Sequence, residues 1–182
     1  APQPGARSSA TAPGADGLLM LPFLNGERTP DLPLGKGVLA GIEPRNMSEA
    51  HVYRAAMEGA TYSLKYGYDA FVRGGMRFER IVVTGGGANS AAWRQMVADI
   101  FDLPDDVPVQ GEGAAFGAAL QALWALRHGQ GDSTPLADLV AAHATTDPAL
   151  SCTPDPARAA AYRAPYDRFL RHLDAVRPLY AG

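Results

Sequence analysis

Apolar and polar positions along this chain form blocks that predict both strands and helices. Short apolar runs bounded by glycine, proline or polar residues predict buried strands at residues 18–24, 37–42 and 80–84. Segments in which apolar or small residues recur every three or four positions predict helices at residues 49–72, 90–101, 111–128, 136–144 and 157–176. A further short strand is expected near Val107 and Val109. Strands alternate with helices over most of the chain, which predicts an α/β domain with a mixed or parallel sheet flanked by helices.

The same pattern divides the chain into three parts. Residues 1–17 are rich in alanine, proline, glycine and serine and have no apolar periodicity, so a flexible linker is expected there. Residues 18–150 carry the predicted strands and most of the predicted helices, and we interpret them as one domain. Residues 151–182 form a tail whose helix is expected to dock on that domain through an apolar stripe of Tyr162, Tyr166, Phe169, Leu170 and Leu173.

Composition narrows the class of protein. Of the 182 residues, 47% are hydrophobic and 19% are charged, a balance typical of globular proteins. The net charge of −3 and the lack of a basic cluster argue against nucleic-acid binding. The longest apolar run is too short to cross a membrane, and the single cysteine, Cys152, rules out an internal disulfide, as is typical of cytoplasmic proteins. The four histidines lack the spacing of metal ligands, so no metal site is predicted.

The glycine-rich turn at residues 84–90, Thr-Gly-Gly-Gly-Ala-Asn-Ser, joins a predicted strand to a predicted helix. Glycines let a ligand approach the backbone closely, and a helix N-terminus attracts anions, so the turn is a candidate phosphate site. Its spacing matches neither of the common nucleotide-binding glycine motifs, and a plain strand-to-helix turn remains the alternative. Its place at the carboxyl end of a predicted strand favours the nucleotide site. Asn89 and Ser90 are candidate caps of the helix.

Two other polar segments have expected structural roles. Ser48 is the expected N-cap of the helix at 49–72, with His51 where a capping box would have Glu or Gln, so half of a capping box is expected. Residues 25–30, Asn-Gly-Glu-Arg-Thr-Pro, form a polar turn. A loop ordered by its own hydrogen bonds is favoured there over a loop that lines a cleft.

Four segments, in this order, resemble the C-terminal half of the FGGY carbohydrate kinases. They are residues 21–30, Leu-Pro-Phe-Leu-Asn-Gly-Glu-Arg-Thr-Pro; residues 37–42 together with 51–58; residues 84–88, Thr-Gly-Gly-Gly-Ala; and residues 93–99, with Trp-Arg-Gln followed by Ala-Asp. The combination is much more specific than any one segment, and within the family it is most similar to enzymes that act on D-xylulose. The resemblance covers the chain from about Leu18 to its end.

The resemblance implies an actin-like, ribonuclease-H-type domain on the nucleotide side of a catalytic cleft, in an enzyme that transfers the γ-phosphoryl of ATP to a sugar hydroxyl with Mg²⁺. Trp93 is expected to pack inward rather than to stack on adenine, and Glu27 and Arg28 are candidates for the cleft wall. The resemblance assigns nucleotide contacts to two groups of residues. Those expected near the phosphates, ribose and base are Gly85, Gly86, Gly87, Ala88, Asn89 and Ser90, and those expected in the adenine-pocket wall are Gly113, Ala114 and Gly117.

The chain departs from the family in what it lacks. The family's N-terminal domain, with an Asp-x-Gly-Thr type phosphate loop, the sugar site and an aspartate base, has no counterpart in these residues, and the first hairpin of the C-terminal domain is expected to lie upstream of Ala1. We therefore interpret the chain as the nucleotide-binding part of an ATP-dependent sugar kinase, inactive alone, with D-xylulose bound through the missing domain and no catalytic residue of its own. A kinase for ribulose, gluconate or glycerol and a non-catalytic binding or assembly module of the same fold remain alternatives.

Two further expectations follow from this interpretation. A valine at position 87 is expected to block phosphate approach without unfolding the chain. An open sheet edge and an apolar face left by the missing hairpin are expected to make the isolated chain self-associate, and a homodimer is one such arrangement.

Overall fold

A computed structural model describes residues 11–180. In this part of the chain the helices are α1 (Glu49–Arg73), α2 (Ala91–Phe101), α3 (Gly113–Gly129), α4 (Leu136–His143) and α5 (Pro156–Val176). The strands are β1 (Leu19–Leu21), β2 (Val38–Ala40), β3 (Ile81–Val82) and β4 (Asp105–Asp106), and single 3₁₀ turns occupy Ala15–Gly17, Gly86–Asn89 and Arg177–Tyr180. All five predicted helices are confirmed to within two residues at each end, and so is the α/β class.

The strands form two separate two-stranded ladders within the described residues. β1 and β2 are antiparallel, with Met20 opposite Leu39. β3 and β4 are parallel, with Ile81 opposite Asp105. One continuous mixed sheet is therefore not seen here, and the strand expected near Val107 and Val109 lies two residues earlier. In the described part of the chain β3 pairs on one side only, and the Val82 side chain is 54% exposed.

Helix α1 packs directly on β1. A Cβ atom at Gly59 would lie 2.2 Å from the carbonyl oxygen of Met20, so only glycine permits this approach. At the start of the helix, Ser48 Oγ accepts a hydrogen bond from the His51 N–H, as predicted. The His51 ring also contacts Ser48 Oγ through Nδ1 at 2.7 Å and Asp16 Oδ2 through Nε2 at 3.0 Å. His51 thus occupies the position that Glu or Gln has in a capping box, and its ring links α1 to the preceding segment.

Helix α5 lies in the same hydrophobic core as β1 and α1. The residues of its apolar stripe are buried, apart from the half-buried Leu170. They belong to one cluster with Leu21, Phe23 and Tyr62, and α5 also contacts α2. The aromatic stripe is therefore packing surface, and α5 closes the core.

The described end of the predicted linker, residues 11–17, is packed rather than extended away from the domain. Ala15 is fully buried, and the Gly14 N–H donates to Glu58 Oε1 at 2.9 Å. The expectation of a linker does not hold for these residues, because the buried Glu58 carboxylate needs donors and small residues fit against α1. Residues 1–10 lie outside the described part.

Candidate functional site

The glycine turn begins where β3 ends. Val83 is buried, and its N–H donates to Asp106 O at 2.9 Å, which holds the end of β3 on β4. Residues 84–87 are exposed. The chain then makes the 3₁₀ turn Gly86–Asn89 before Ser90 caps α2, its Oγ accepting from the Trp93 N–H. Of the two predicted caps, Ser90 is confirmed, whereas Asn89 lies inside the 3₁₀ turn.

The three glycines of the turn have different surroundings. Gly85 has a φ of +82°, a backbone conformation that favours glycine. No atom lies within 4 Å of a Cβ built at Gly85 or Gly86, so this side of the turn is open. A Cβ at Gly87 would instead lie 2.1 Å from Cζ3 of Trp93. The expectation that valine at position 87 leaves the fold intact is therefore corrected, because that side chain would collide with the protein before meeting a ligand.

Trp93 lies beneath the turn with its indole directed toward α1. Its Nε1 donates to Thr61 Oγ1 at 3.0 Å, and Thr61 is fully buried. The ring therefore faces inward, and the structure agrees with the expected orientation.

Arg94 supports the next residue of the turn. Its Nη1 donates to the Ala88 carbonyl oxygen at 2.6 Å, and its Nε donates to Leu150 O at 2.9 Å. The side chain is 7% exposed, so both bonds form inside the protein, where they are charge-assisted. Sequence reasoning missed this residue. The available signal was an arginine beside the apolar positions Trp93, Met96 and Val97 of one helix.

The backbone of the turn leaves several amide groups without a protein acceptor in the described part of the chain, among them those of Gly86 and Gly87. The Ala88 N–H donates to Gly85 O at 3.0 Å and the Ser90 N–H to Gly87 O at 2.9 Å. The N–H groups of Gly86 and Gly87 donate to no residue in the described part of the chain. Exposed amides beside the N-terminus of α2 form an arrangement that can bind an anion, since the helix dipole adds a positive partial charge.

The start of α3 lies beside the turn. A Cβ at Gly113 would be 3.9 Å from Cγ2 of Thr84. Gly113 and Gly117 line a groove of about 290 Å³ between α3 and α4, whereas Ala114 is exposed and does not line it. The other side chains of the groove are mostly apolar and include Pro108, Phe116, Leu120, Leu136 and Val140. The structure thus brings Gly113 to the turn and places Gly117 one helical turn further along the groove.

A larger open cleft of about 720 Å³ runs from the polar turn at residues 25–30 across α1 to Thr84. Glu27 and Thr29 line it, and Glu27 Oε1 also accepts hydrogen bonds from the Arg28 and Thr29 N–H groups. Both interpretations of this loop therefore apply, because it is ordered by its own hydrogen bonds and borders a cleft. Exposed apolar side chains line much of the rest, among them Leu64, Phe71, Phe78 and Val82.

The acidic and histidine side chains of residues 11–180 form no cluster of three that would hold a metal ion. Within the same range, no helix is both long and apolar enough to cross a membrane. The glycine turn and the two adjoining hollows are thus the candidate site.

Comparison with known proteins identifies the family of the chain. Residues 4–126 match the sequence model of the FGGY family of carbohydrate kinases, C-terminal domain. Xylulose kinase from Haemophilus influenzae is 38% identical over 163 residues, covering 90% of this chain and 32% of that protein. Gluconokinase from Bacillus licheniformis is 41% identical over 121 residues, covering 62% of this chain and 22% of that protein.

Solved structures give the same result for the fold. The crystal structure of xylulose kinase from Rhodospirillum rubrum superposes with a TM-score of 0.82 at 27% identity, covering 98% of this chain and 34% of that one. Ligand-bound xylulose kinase from Lactobacillus acidophilus superposes with a TM-score of 0.85 at 23% identity, covering 96% of this chain and 34% of that one, which shows the fold alone. The expected actin-like fold is confirmed.

This chain spans about a third of the length of these xylulose kinases. The matched residues include β1, β2, α1, the glycine turn, α2 and most of α3. The chain belongs to the FGGY family of carbohydrate kinases and corresponds to its C-terminal domain.

Proposed function

We propose that this chain is the nucleotide-binding part of an ATP-dependent sugar kinase that phosphorylates D-xylulose. The observation that carries the proposal is the exposed turn at Gly86 and Gly87, whose two amide groups have no protein acceptor and lie at the N-terminus of α2. Such a turn suits the phosphates of ATP or ADP. The names of the relatives supply the sugar, and a cytoplasmic location suits an enzyme that consumes ATP.

The proposed nucleotide contacts divide between the turn and the groove. The phosphates lie along Gly85, Gly86 and Gly87, where the open side of the turn has room for them. Ala88 is buried, so it contributes to the proposed site through its backbone rather than its side chain. Asn89 is exposed and suits the ribose or the base, whereas the Ser90 hydroxyl accepts the capping hydrogen bond of α2 and still has its own O–H to donate.

The groove between α3 and α4 is the proposed site of adenine. Its mostly apolar lining suits a flat aromatic ring, and Gly113 and Gly117 add no side chains to it. Ala114 is exposed next to Gly113, outside the residues that line the groove. Gly113 is also the point at which the groove and the glycine turn approach each other, through Thr84.

Magnesium is the cofactor expected in phosphoryl transfer. The described residues offer no cluster of carboxylates for it, so we assign no metal ligand in this chain. We propose that Mg²⁺ arrives bound to the nucleotide.

Catalysis is proposed to require a second domain that supplies the sugar site and the general base. The open cleft with exposed Leu64, Phe71 and Val82 is the proposed contact surface for the rest of the enzyme, because apolar surface of this size is normally covered.

Gluconate is the alternative sugar, because the relatives include proteins named gluconokinase. Phosphorylation of D-xylulose and of gluconate by a protein that includes both domains decides between them.

The experiment that tests nucleotide binding is an amide-resolved NMR titration of this chain with Mg·ADP. Signals of residues 85–90 and of the start of α3 are expected to shift, and Gly86→Val is expected to abolish the shifts while the remaining spectrum is unchanged. Gly129→Val is the matched control, since that glycine also has open space around it but lies at the far end of α3. A folded parent chain that ignores ADP, or a Gly86→Val variant that binds like the parent, overturns the assignment.

A further inference from the structure

The indole of Trp93 packs closely against the glycine turn at Gly87. Three of its ring atoms, Cζ3, Cε3 and Cη2, lie 2.1, 2.4 and 2.9 Å from the place where a Cβ of Gly87 would stand. The ring therefore fills the inner side of the turn at Gly87, opposite the open side described above. Trp93 is itself half-buried and lies one helical turn into α2.

The orientation of this ring is set from α1. Its Nε1 donates to Thr61 Oγ1 at 3.0 Å, and the same hydroxyl donates to the Met57 carbonyl oxygen at 2.8 Å. The Thr61 hydroxyl thus both accepts and donates, and its residue is fully buried. Rotating the indole would leave its N–H unpaired, which is costly away from water.

Consecutive residues of α2 hold consecutive residues of the turn. Trp93 supports Gly87 by contact, and Arg94 binds the carbonyl oxygen of Ala88 at 2.6 Å. Ser90 lies in sequence between these turn residues and these helix residues, and its side chain caps α2. The inner side of the turn is therefore held at residues 87 and 88, while residues 85 and 86 face open space.

We propose that Thr61 and Trp93 are positioning residues for the nucleotide site. The hydrogen bond between them fixes the indole, and the indole fixes Gly87 so that the amides of Gly86 and Gly87 stay available to a ligand. Neither side chain touches the nucleotide; the pair acts by arranging the donors before the ligand arrives, which lowers the cost of binding. This inference rests on the proposed nucleotide function.

The test uses Thr61→Val, which keeps the shape of the side chain and removes the hydroxyl, and Thr61→Ser, which keeps the hydroxyl. Trp93→Phe keeps an aromatic ring without the N–H and serves if Thr61→Val does not fold. Val52→Ala, a half-buried position near the N-terminal end of α1, is the control for a general loss of stability. The parent, both Thr61 variants and Val52→Ala are made with Trp124→Phe, because the chain has only two tryptophans and Trp93 then supplies the whole indole emission. Trp93→Phe is followed by its amide signals alone.

Two readouts are compared. The first uses no ligand: amide signals of residues 85–88 are expected to shift in Thr61→Val and Trp93→Phe and to stay near the parent in Thr61→Ser and Val52→Ala. The Trp93 emission is expected to shift in Thr61→Val and to stay near the parent in Thr61→Ser and Val52→Ala. The second is the Kd for Mg·ADP by calorimetry, which we expect to weaken about fivefold in Thr61→Val and to change less than about twofold in Thr61→Ser and Val52→Ala.

Unmoved amide signals in a folded Thr61→Val variant overturn the positioning of the turn, whatever the nucleotide does. Moved signals with an unchanged Kd overturn the link between the pair and nucleotide binding. A parent chain that binds no ADP overturns the proposed function and the nucleotide role of the pair with it, whereas the ligand-free amide shifts still decide whether Thr61 and Trp93 set the turn.

Discussion

The ring of Phe169 lies 5.5 Å from the ring of Tyr62, centroid to centroid, and both side chains are almost completely removed from solvent. The contact joins α5 to α1 across 107 positions of sequence. Tyr166 lies equally close to Tyr62, at 5.5 Å, and its hydroxyl donates to Asp69 Oδ2 at 2.7 Å. The C-terminal helix is thus built into the core by tilted aromatic rings and by a hydrogen bond at the edge of the cluster.

Truncating Phe169 is expected to be strongly destabilising. Phe169→Ala removes a fully buried ring, and we expect the free energy of unfolding to fall by about 3–5 kcal/mol. Leu179→Ala is the control, since that side chain is 75% exposed and its loss is expected to cost less than about 0.5 kcal/mol. Urea denaturation measures both values, and a small effect of Phe169→Ala would show that α5 is not part of the cooperative core.

Removing Arg54 is expected to leave a buried charge uncompensated. Arg54 Nε lies 2.6 Å from Glu58 Oε1, both side chains are less than 10% exposed, and the guanidinium also contacts the Tyr162 hydroxyl. We expect Arg54→Ala to lower the free energy of unfolding by about 3–5 kcal/mol. Arg45→Ala, which breaks a pair with Glu43 at the surface, is expected to cost less than about 1 kcal/mol. Equal effects in chemical denaturation would contradict the role given to the buried pair.

The Asp105 carboxyl is expected to make stability depend on pH. Asp105 is fully buried, its Oδ1 accepts from the Cys152 N–H at 3.1 Å, and its Oδ2 has no hydrogen-bond partner. Burial raises the pKa of this carboxyl, so the folded chain holds the proton more tightly than the unfolded chain. Its contribution to stability is then complete below the ordinary pKa of aspartate, about 3.9, and is lost as the pH rises through the raised pKa.

Asp105→Asn is the matched variant, because its side chain cannot ionise. Relative to this variant, the parent chain is expected to lose stability as the pH rises from about 4 to 7. Urea denaturation across that range measures the difference. Parallel stability profiles would show that Asp105 does not titrate differently in the folded and unfolded chains.

Alanine substitutions at Gly87 and Gly86 are expected to change the free energy of unfolding by different amounts. Gly87→Ala forces its Cβ against the Trp93 ring, and we expect a loss of about 1–3 kcal/mol in the free energy of unfolding. Gly86→Ala meets open space and is expected to change stability by less than about 0.5 kcal/mol. A smaller residue at position 93 is expected to relieve the first loss in a double-mutant cycle, and independent effects of the two changes would argue against direct contact.

The unpaired side of β3 is expected to drive self-association at high protein concentration. Val82 is exposed at this edge beside the apolar cleft, and an open edge pairs readily with another chain. Val82→Lys is expected to reduce the association seen by sedimentation velocity, whereas Val109→Lys, at an equally exposed site outside the cleft, is expected to leave it unchanged. A parent chain that stays monomeric at high concentration would contradict this expectation.

Local sequence patterns determined the helices and the candidate turn. Apolar periodicity located all five helices, because a helix must bury one face whatever it packs against. Ser48 and Ser90 marked the starts of α1 and α2, since the side chain that caps a helix is a neighbour in sequence. The glycine run likewise marked its own position, and the order of four short segments identified the family.

The tertiary structure alone decided what surrounds these elements. The packing of residues 11–17 depends on Glu58, 44 positions beyond Gly14, and the separate roles of the three glycines depend on Trp93, Thr61 and Arg94. The two short ladders also differ from the continuous sheet that strand patterns predicted. Periodicity reports only whether a face is buried, whereas the partner of a buried group is chosen by contacts between distant parts of the chain, and those contacts carry no local pattern.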